Sequence, residues 1–461
     1  MKLKFYYGNI CLIFCTFFTL QASAQSEEKI IKMIADEVMT NSKAYSNLRQ
    51  LCKQVGPRVS GSAGADKAIQ MAKAMLINAG ADTVYLQPCK VTHWERGQKE
   101  SAFLQAGNGA KVPLQICALG NAVGTGSSGV RAAVVEVNNM AALKQLGRKG
   151  IEGKIVFFNI AMNPTYISTS QAYGESGIGR RSGPSQAAKY GAVGVVVRSL
   201  SSNIDAFPHT GATVYNDSFP KIPAIAISTL HAEMLSSELK KKEIVSFYFK
   251  TNCKLLPDAN SFNVIGEIRG SQFPEEIITV GGHLDSWDLA EGAQDDGAGC
   301  MQSIEVIRVM QQLNLRPKRT IRAVMFMNEE NGLGGAKAYL QQALQNKERH
   351  IFALESDGGG FTPRGFTLDM SDKNMLKVQA WAPLFYQYGV YDFKAGGGGA
   401  DIQPLKQIGA ALSGLSPDNQ RYFDIHHAAT DVFENVSKRE LDLGAVNMAA
   451  FVWLVSEFGL N

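Results

Sequence analysis

The sequence predicts an α/β protein, a sheet covered by helices on both faces and accompanied by a second, β-rich domain. Three observations predict it. The last two hundred or so residues alternate apolar strands with amphipathic helices. The stretch before them reads as short apolar strands between turns. A mature chain of roughly 435 residues also exceeds one typical domain, so two are expected.

The N-terminus is read as targeting sequence. Lys2 and Lys4 precede an apolar run from Ile10 to Leu20, and Ala22-Ser23-Ala24 is a small-x-small cleavage signal. Residues 1–24 are therefore expected to be a signal peptide cleaved near Ala24-Gln25, leaving a secreted or periplasmic protein. The run is shorter than the ~20 apolar residues that span a bilayer, and no membrane span is expected in the mature chain.

Without Lys2 and Lys4, 44 basic side chains face 42 acidic ones. This balance points to neither nucleic acid nor an anionic membrane as partner. Cys52, Cys89, Cys117, Cys253 and Cys300 remain after cleavage, with no C-x-x-C pair, so a zinc knuckle or thioredoxin-type site is disfavoured. An oxidising compartment permits a disulfide, but an odd count leaves at least one thiol over.

Residues 25–115 contain the turn-rich segment Gly56-Pro57-Arg58-Val59-Ser60-Gly61-Ser62 and an amphipathic helix over 65–79, closed by Gly80. Residues 116–254 carry expected strands at 132–137, 154–159, 194–198 and 222–228, and a helix at 183–190. Nothing in this stretch reads as catalytic; His209, beside Pro208, reads as a surface loop residue. In residues 255–461, strands are expected at 277–282, 320–328 and 351–355. Helices are expected at 297–313, 335–344, 374–388 and 438–458.

Polar residues gather where these strands end. Gly282-His283-Leu284-Asp285 follows the first, Glu329-Glu330 the second and Asp357 the third. Open α/β sheets place ligands at the carboxyl ends of their strands. Asp295-Asp296-Gly297 alone would be a helix cap, Glu329-Glu330 a solvated pair, His426-His427 a surface feature and Gly396 to Gly399 a flexible loop. If they converge, the carboxylates repel, and a divalent metal removes that cost. Mixed His and carboxylate donors suit zinc, whereas calcium takes oxygen alone. Three of the chain's seven His lie in these motifs. Two metals would need a bridging carboxylate and further terminal ligands, leaving one acidic residue as a base. Which member of each adjacent pair does which job stays open on the residues alone.

Five segments together carry a family resemblance. Gly282-His283-Leu284-Asp285-Ser286, Asp295-Asp296-Gly297-Ala298-Gly299, Asn328-Glu329-Glu330, Glu355-Ser356-Asp357 and His427-Ala428-Ala429-Thr430-Asp431 resemble the co-catalytic dizinc exopeptidases of the bacterial aminopeptidase and glutamate carboxypeptidase type. The resemblance implies the zinc exopeptidase fold, a mixed central sheet flanked by helices. Residues 25–115 and 255–461 would form the peptidase domain, and 116–254 an inserted protease-associated domain that shapes substrate access. It implies two zinc ions per chain. Asp295 would bridge them, His283 and Asp357 would bind one, and Glu330 and His427 the other. Glu329 would be the general base and Asp285 the carboxylate that orients His283. Many relatives carry Tyr where this chain has His426, which is expected either to stabilise the oxyanion or to be merely packed. Asp401 is expected either to meet a substrate amine or to be structural.

The expected substrate is a dipeptide or short peptide cleaved at a terminal bond, and a homodimer is a further expectation. A non-catalytic receptor-like ectodomain and a zinc aminoacylase are the alternatives on the same fold. The complete ligand set and Glu329 argue against the first. No single cation in the sequence can be assigned as a clamp for a substrate carboxylate.

Overall fold

A computed structural model describes residues 27–107, 109–241 and 244–460. The expected signal peptide, 1–24, lies outside them. Among the described residues the chain forms two eight-stranded sheets. The larger runs, in spatial order, Thr83–Glu95, Lys254–Ile268, Arg319–Phe326, Phe273–His283, Arg349–Glu355, Ala411–Pro417, Pro363–Asp369 and Asp392–Ala395. It is mixed. Phe273–His283 lies parallel to both its neighbours, whereas Lys254–Ile268 is antiparallel to Thr83–Glu95 and to Arg319–Phe326.

Helices cover both faces, and alternation along each strand decides which residue meets which helix. Ile321, Ala323 and Met325 pack into one core with the helices Ala63–Asn78, Ala298–Gln312 and Lys438–Phe458. Val324 and Phe326 point the other way, against Tyr339 of the helix Gly334–Asn346 and against Ile402 and Leu405. Each fully buried large apolar side chain here contributes about 1.5–3 kcal/mol. The helix Lys438–Phe458 is long and apolar enough to cross a membrane, but 83% of its apolar window is buried, as befits a core helix.

The smaller sheet takes strands from Ser101–Ala106 and Val112–Leu114 as well as from the stretch Ile116–Lys250, and its parallel centre is Val130–Val137, Ile155–Phe158, Gly194–Arg198 and Ala224–Ile227. The unbroken apolar runs Ile155–Phe158 and Ala224–Ile227 are buried throughout, as expected of strands covered on both faces.

Two sequence readings change. The helix expected over 374–388 ends at Ala380; Pro383 has no N–H to continue it, and the chain passes into short 3₁₀ turns at Ala382–Leu384 and Tyr386–Tyr388. His209 is not a surface residue. It is 3% exposed, and its Nδ1 lies 2.7 Å from the carbonyl oxygen of His426. All five cysteines among the described residues are buried free thiols.

Candidate metal centre and catalytic cleft

The site forms along one edge of the larger sheet, where Phe273–His283 ends, where the chain turns after Arg319–Phe326, and where Asp357 follows Arg349–Glu355. Crowding demands glycine around the first of these. A Cβ on Gly282 would stand 2.2 Å from Asp296 Oδ2, and one on Gly299 1.9 Å from the carbonyl oxygen of Ser356. The turn after Phe326 rests on Asn328, whose φ of 77° is left-handed, a conformation Asn tolerates better than most residues. The Asn328 side chain donates to Ser60 Oγ (2.8 Å) and accepts from Gly334 N (3.1 Å), fixing the turn that presents Glu329 and Glu330.

All the site residues expected from the sequence come together. His283 Nε2 lies 3.3 Å from Asp295 Oδ1 and 3.4 Å from Asp357 Oδ1. His427 Nε2 lies 3.2 Å from Asp295 Oδ2 and 3.1 Å from Glu330 Oε2. The two oxygens of Asp295 therefore face two different imidazoles. His426 stacks on His427 with ring centroids 3.5 Å apart, and its Nε2 is 3.4 Å from Asp295 Oδ2. Two triplets of donor atoms, Asp295/His426/His427 and His283/Asp296/Asp357, each gather within 4.8 Å.

The oxygens of Asp296 are already occupied. Oδ2 accepts from the main-chain N of His283 and Oδ1 from that of Gly299, both at 3.0 Å. Asp295 Oδ2 and Glu330 Oε1, by contrast, are buried without hydrogen-bond partners. Buried carboxylate oxygens are costly to leave so. Two imidazoles and several carboxylates around such orphaned atoms form a donor set that fits zinc.

Asp285 is fully buried, and it meets His283 differently from the expectation. The nearest acceptor to His283 Nδ1 is the main-chain carbonyl of Asp285 at 2.9 Å, whereas its carboxylate oxygen is 3.9 Å away. That carboxylate instead accepts from the main-chain N of Asn328 (2.6 Å) and of Glu329 (3.1 Å), which couples the His283 strand to the turn carrying the two glutamates.

Electrostatics follow from burial. Burial pushes the Glu329 carboxyl well above the ordinary range, opposed by His283 and reinforced by Asp357 and Glu330. Burial likewise raises Glu330 to about 7, with Asp295 adding to the effect. Burial also works against ionising Asp295, yet the surrounding His426, His283 and His427 overcome it and hold that carboxyl well below its usual range. Behind the site, Asp401 is 1% exposed with both oxygens unpartnered, while Glu355 accepts from the N–H of Ile402 at 3.0 Å.

Beside the cluster opens a cavity of about 450 Å³ that exposes Asp295, Glu329, Glu330, Asp357, His426 and His427. Part of its lining comes from the smaller sheet's domain: Ser170, Tyr173, Arg180, Arg181, Ala212 and Val214. Sequence reasoning assigned no functional residue to that stretch. Arg180-Arg181 carries no motif, and only tertiary packing brings it over the site.

A sheet-edge cluster of imidazoles and carboxylates beside a peptide-sized cavity defines a metallo-exopeptidase of the α/β class. The comparisons agree. The sequence profile of peptidase family M28 matches residues 263–452. Carboxypeptidase Q of Bos taurus is 35% identical over 416 residues, covering 90% of this chain and 84% of that protein. The Homo sapiens carboxypeptidase Q is 34% identical over 437 residues, covering 95% and 89%. The crystal structure of a peptidase M28 precursor from Shewanella amazonensis superposes with a TM-score of 0.89 at 30% identity, covering 94% of this chain and 97% of that one. A zinc aminopeptidase from Bacillus subtilis shares the fold at a TM-score of 0.62 and 20% identity, covering 89% and 94%. The chain belongs to peptidase family M28 and is a zinc-dependent metallopeptidase similar to carboxypeptidase Q.

Proposed function

We propose that the chain is a two-zinc exopeptidase that hydrolyses terminal bonds of dipeptides or short peptides, exported after removal of residues 1–24. One observation carries the reading: Asp295 lies between His283 and His427, and each imidazole has a second carboxylate of its own, Asp357 or Glu330. His283 and Asp357 would hold one ion, His427 and Glu330 the other, and Asp295 both. Bound there, the ions supply Lewis acidity, making water acidic and polarising the scissile carbonyl.

The chain's own residues do the rest. Glu329 stands in the cavity wall beside Glu330 but belongs to neither imidazole pair. It takes the proton of the attacking water on its carboxylate and passes it to the departing amine. His426, held by stacking on His427, offers an imidazole N–H to the developing oxyanion. Asp285 holds the consecutive main-chain N–H groups of Asn328 and Glu329, where the turn begins. The smaller sheet's domain, as a protease-associated domain would, closes one side of the cavity and limits what enters.

The test is metal analysis of the purified protein combined with mass spectrometry of free, N-blocked and C-blocked peptides after digestion. Two zincs per chain and loss of single terminal residues are expected. Two bound zincs with no peptide hydrolysed would favour a receptor-like role, and cleavage of N-acetyl amino acids alone would favour an aminoacylase.

A further inference from the structure

His283 and His427 both face Asp295 through Nε2. An imidazole that gives Nε2 to a metal carries its proton on Nδ1, and that N–H needs an acceptor. For His283 the acceptor lies close by in the chain: Nδ1 is 2.9 Å from the carbonyl oxygen of Asp285. For His427 it comes from the other domain. Its Nδ1 is 3.3 Å from the carbonyl oxygen of Thr210, in the stretch that builds the smaller sheet. Arg180 Nη1 stands 3.4 Å from the same nitrogen, but two N–H groups cannot bond to one another. It donates instead to the Thr210 oxygen, at 3.2 Å.

The smaller domain also grips the main chain here. Thr210 N donates to the carbonyl oxygen of His427 at 2.9 Å, and His209 Nδ1 donates to that of His426 at 2.7 Å. His209 is itself fixed, its N donating to Ser199 Oγ at 2.8 Å. The grip matters because His427 has a φ of 64°, in the left-handed region. That conformation costs an L-residue about 1–2 kcal/mol and persists only where the surroundings impose it. Beside Glu330 the pattern repeats. Asn121 Nδ2 donates to the carbonyl oxygen of Asn331, and Asn331 Nδ2 donates to Asn121 Oδ1, both at 3.2 Å. Trp287, edge-on to His427 at 5.9 Å, packs so closely on Gly120 that a Cβ there would stand 1.8 Å from its ring. His283 has no such support. Among the described residues its hydrogen-bond partners are Asp285, Asp296 and Cys300, all of the peptidase domain.

We propose that the smaller sheet's domain holds the metal ligand His427 in place, with His209 as the positioning residue, so that the ion between His427 and Glu330 is retained only while that domain stays docked. The inference rests on the two-zinc reading above and adds to it an asymmetry between the two half-sites. His283 and Asp357 are positioned by the peptidase domain alone. His427 and Glu330 draw their supporting contacts from across the domain boundary. His209 touches neither substrate nor metal. It anchors the His426 carbonyl, and this places Thr210 where its N–H and carbonyl meet the main chain and the imidazole of His427.

The experiment measures stepwise zinc affinities by competition against graded chelators for wild type, His209→Leu, His209→Asn and Asn121→Ala. His209→Leu, which has no donor, should weaken one ion by the 10-fold to 100-fold typical of a lost outer-shell partner, roughly, and leave the other within about twofold. His209→Asn, whose amide N–H stands in for Nδ1–H, should restore most of the loss. Asn121→Ala, at a half-buried position, should weaken the same ion by at least about threefold, and it carries the test if His209→Leu does not fold. Ligand variants identify the ion. In an Asp357→Ala background His209→Leu should still weaken the remaining ion by about tenfold or more, and in a Glu330→Ala background by less than about twofold. Equal weakening of both ions, weakening of neither, a loss confined to the Asp357 ion, or no rescue by His209→Asn would overturn the proposal. A wild type that holds a single ion, weakened by His209→Leu and restored by His209→Asn, would count against the two-zinc reading alone.

Discussion

Asp295 and Asp296 are consecutive, yet their carboxylates end in opposite circumstances. Asp295 lies between His283 and His427 with an orphaned oxygen, whereas Asp296 is closed by the main-chain N–H groups of His283 and Gly299. The difference predicts different failures. Asp295→Ala should lower zinc content by at least one ion per chain. Asp296→Asn should keep the metal sites but cost about 1–3 kcal/mol, because an amide nitrogen would replace an oxygen that accepts an N–H. Metal analysis and thermal melts of both variants separate the two roles, and full zinc in Asp295→Ala would refute the bridging assignment.

Glu329 and Glu330 diverge in the same way. Glu330 faces His427, while Glu329 lines the cavity and takes part in no ion pair among the described residues. Glu329→Gln keeps the shape and removes the basic oxygen. Turnover should fall by about 100-fold to 10,000-fold with zinc content unchanged. Near-normal activity with both metals present would exclude Glu329 as the base.

How legible these differences were in the sequence depends on what decides them. The strand ends could be read because apolar runs such as Ala323 to Met327 stop abruptly at acidic residues. The choice between adjacent carboxylates could not, because the main-chain N–H groups of His283 and Gly299 make it for Asp296 and the approach of His427 makes it for Glu330. Arg180 reaches His427 across 247 positions, and no local pattern announces that approach. His209 read as a loop residue from its Pro208 neighbour; the same loop hydrogen-bonds beneath His426 and His427, which buries it. The long strand Lys254–Ile268 escaped notice because its first half is largely exposed and carries Pro257, so apolar alternation begins only near Ser261.

Far from the metal site, Glu348 couples stability to pH. Arg322 Nη1 donates to it at 2.7 Å, and His350 Nε2 lies at 2.9 Å. Burial works against its ionisation, but His350 and Arg322 prevail and hold the carboxyl down to about 2. An unfolded Glu titrates near 4.3. A depressed folded value means that the stabilisation is fully present above about 4.5 and is lost as pH falls towards 2. Glu348→Gln should therefore cost on the order of 2 kcal/mol at pH 7 and progressively less at pH 4 and pH 3. Urea midpoints at the three pH values check this, and a gap between wild type and variant that does not shrink on acidification would contradict it.

The segment from His283 to Asp295 is braced by two buried charges of opposite sign. Arg58, fully buried, donates to the carbonyl oxygens of Leu284 (2.5 Å), Glu291 (2.5 Å) and Gly292 (2.7 Å). Asp431, 3% exposed, accepts from the N–H groups of Gln294 (2.7 Å) and Asp295 (3.2 Å). One residue gathers the carbonyls of the loop and the other its amides, so the spacing between His283 and Asp295 is set through the main chain, by side chains that stand outside the donor cluster. Lysine has no fork and cannot reach three carbonyls at once. Arg58→Lys and Asp431→Ala should each destabilise the protein by about 1–3 kcal/mol. They should also weaken zinc retention by the 10-fold to 100-fold typical of lost outer-shell partners. Melting temperature and competition for zinc against a graded chelator series measure the two effects separately. A melt lowered as expected, with zinc affinity untouched, would make the brace a contributor to stability alone.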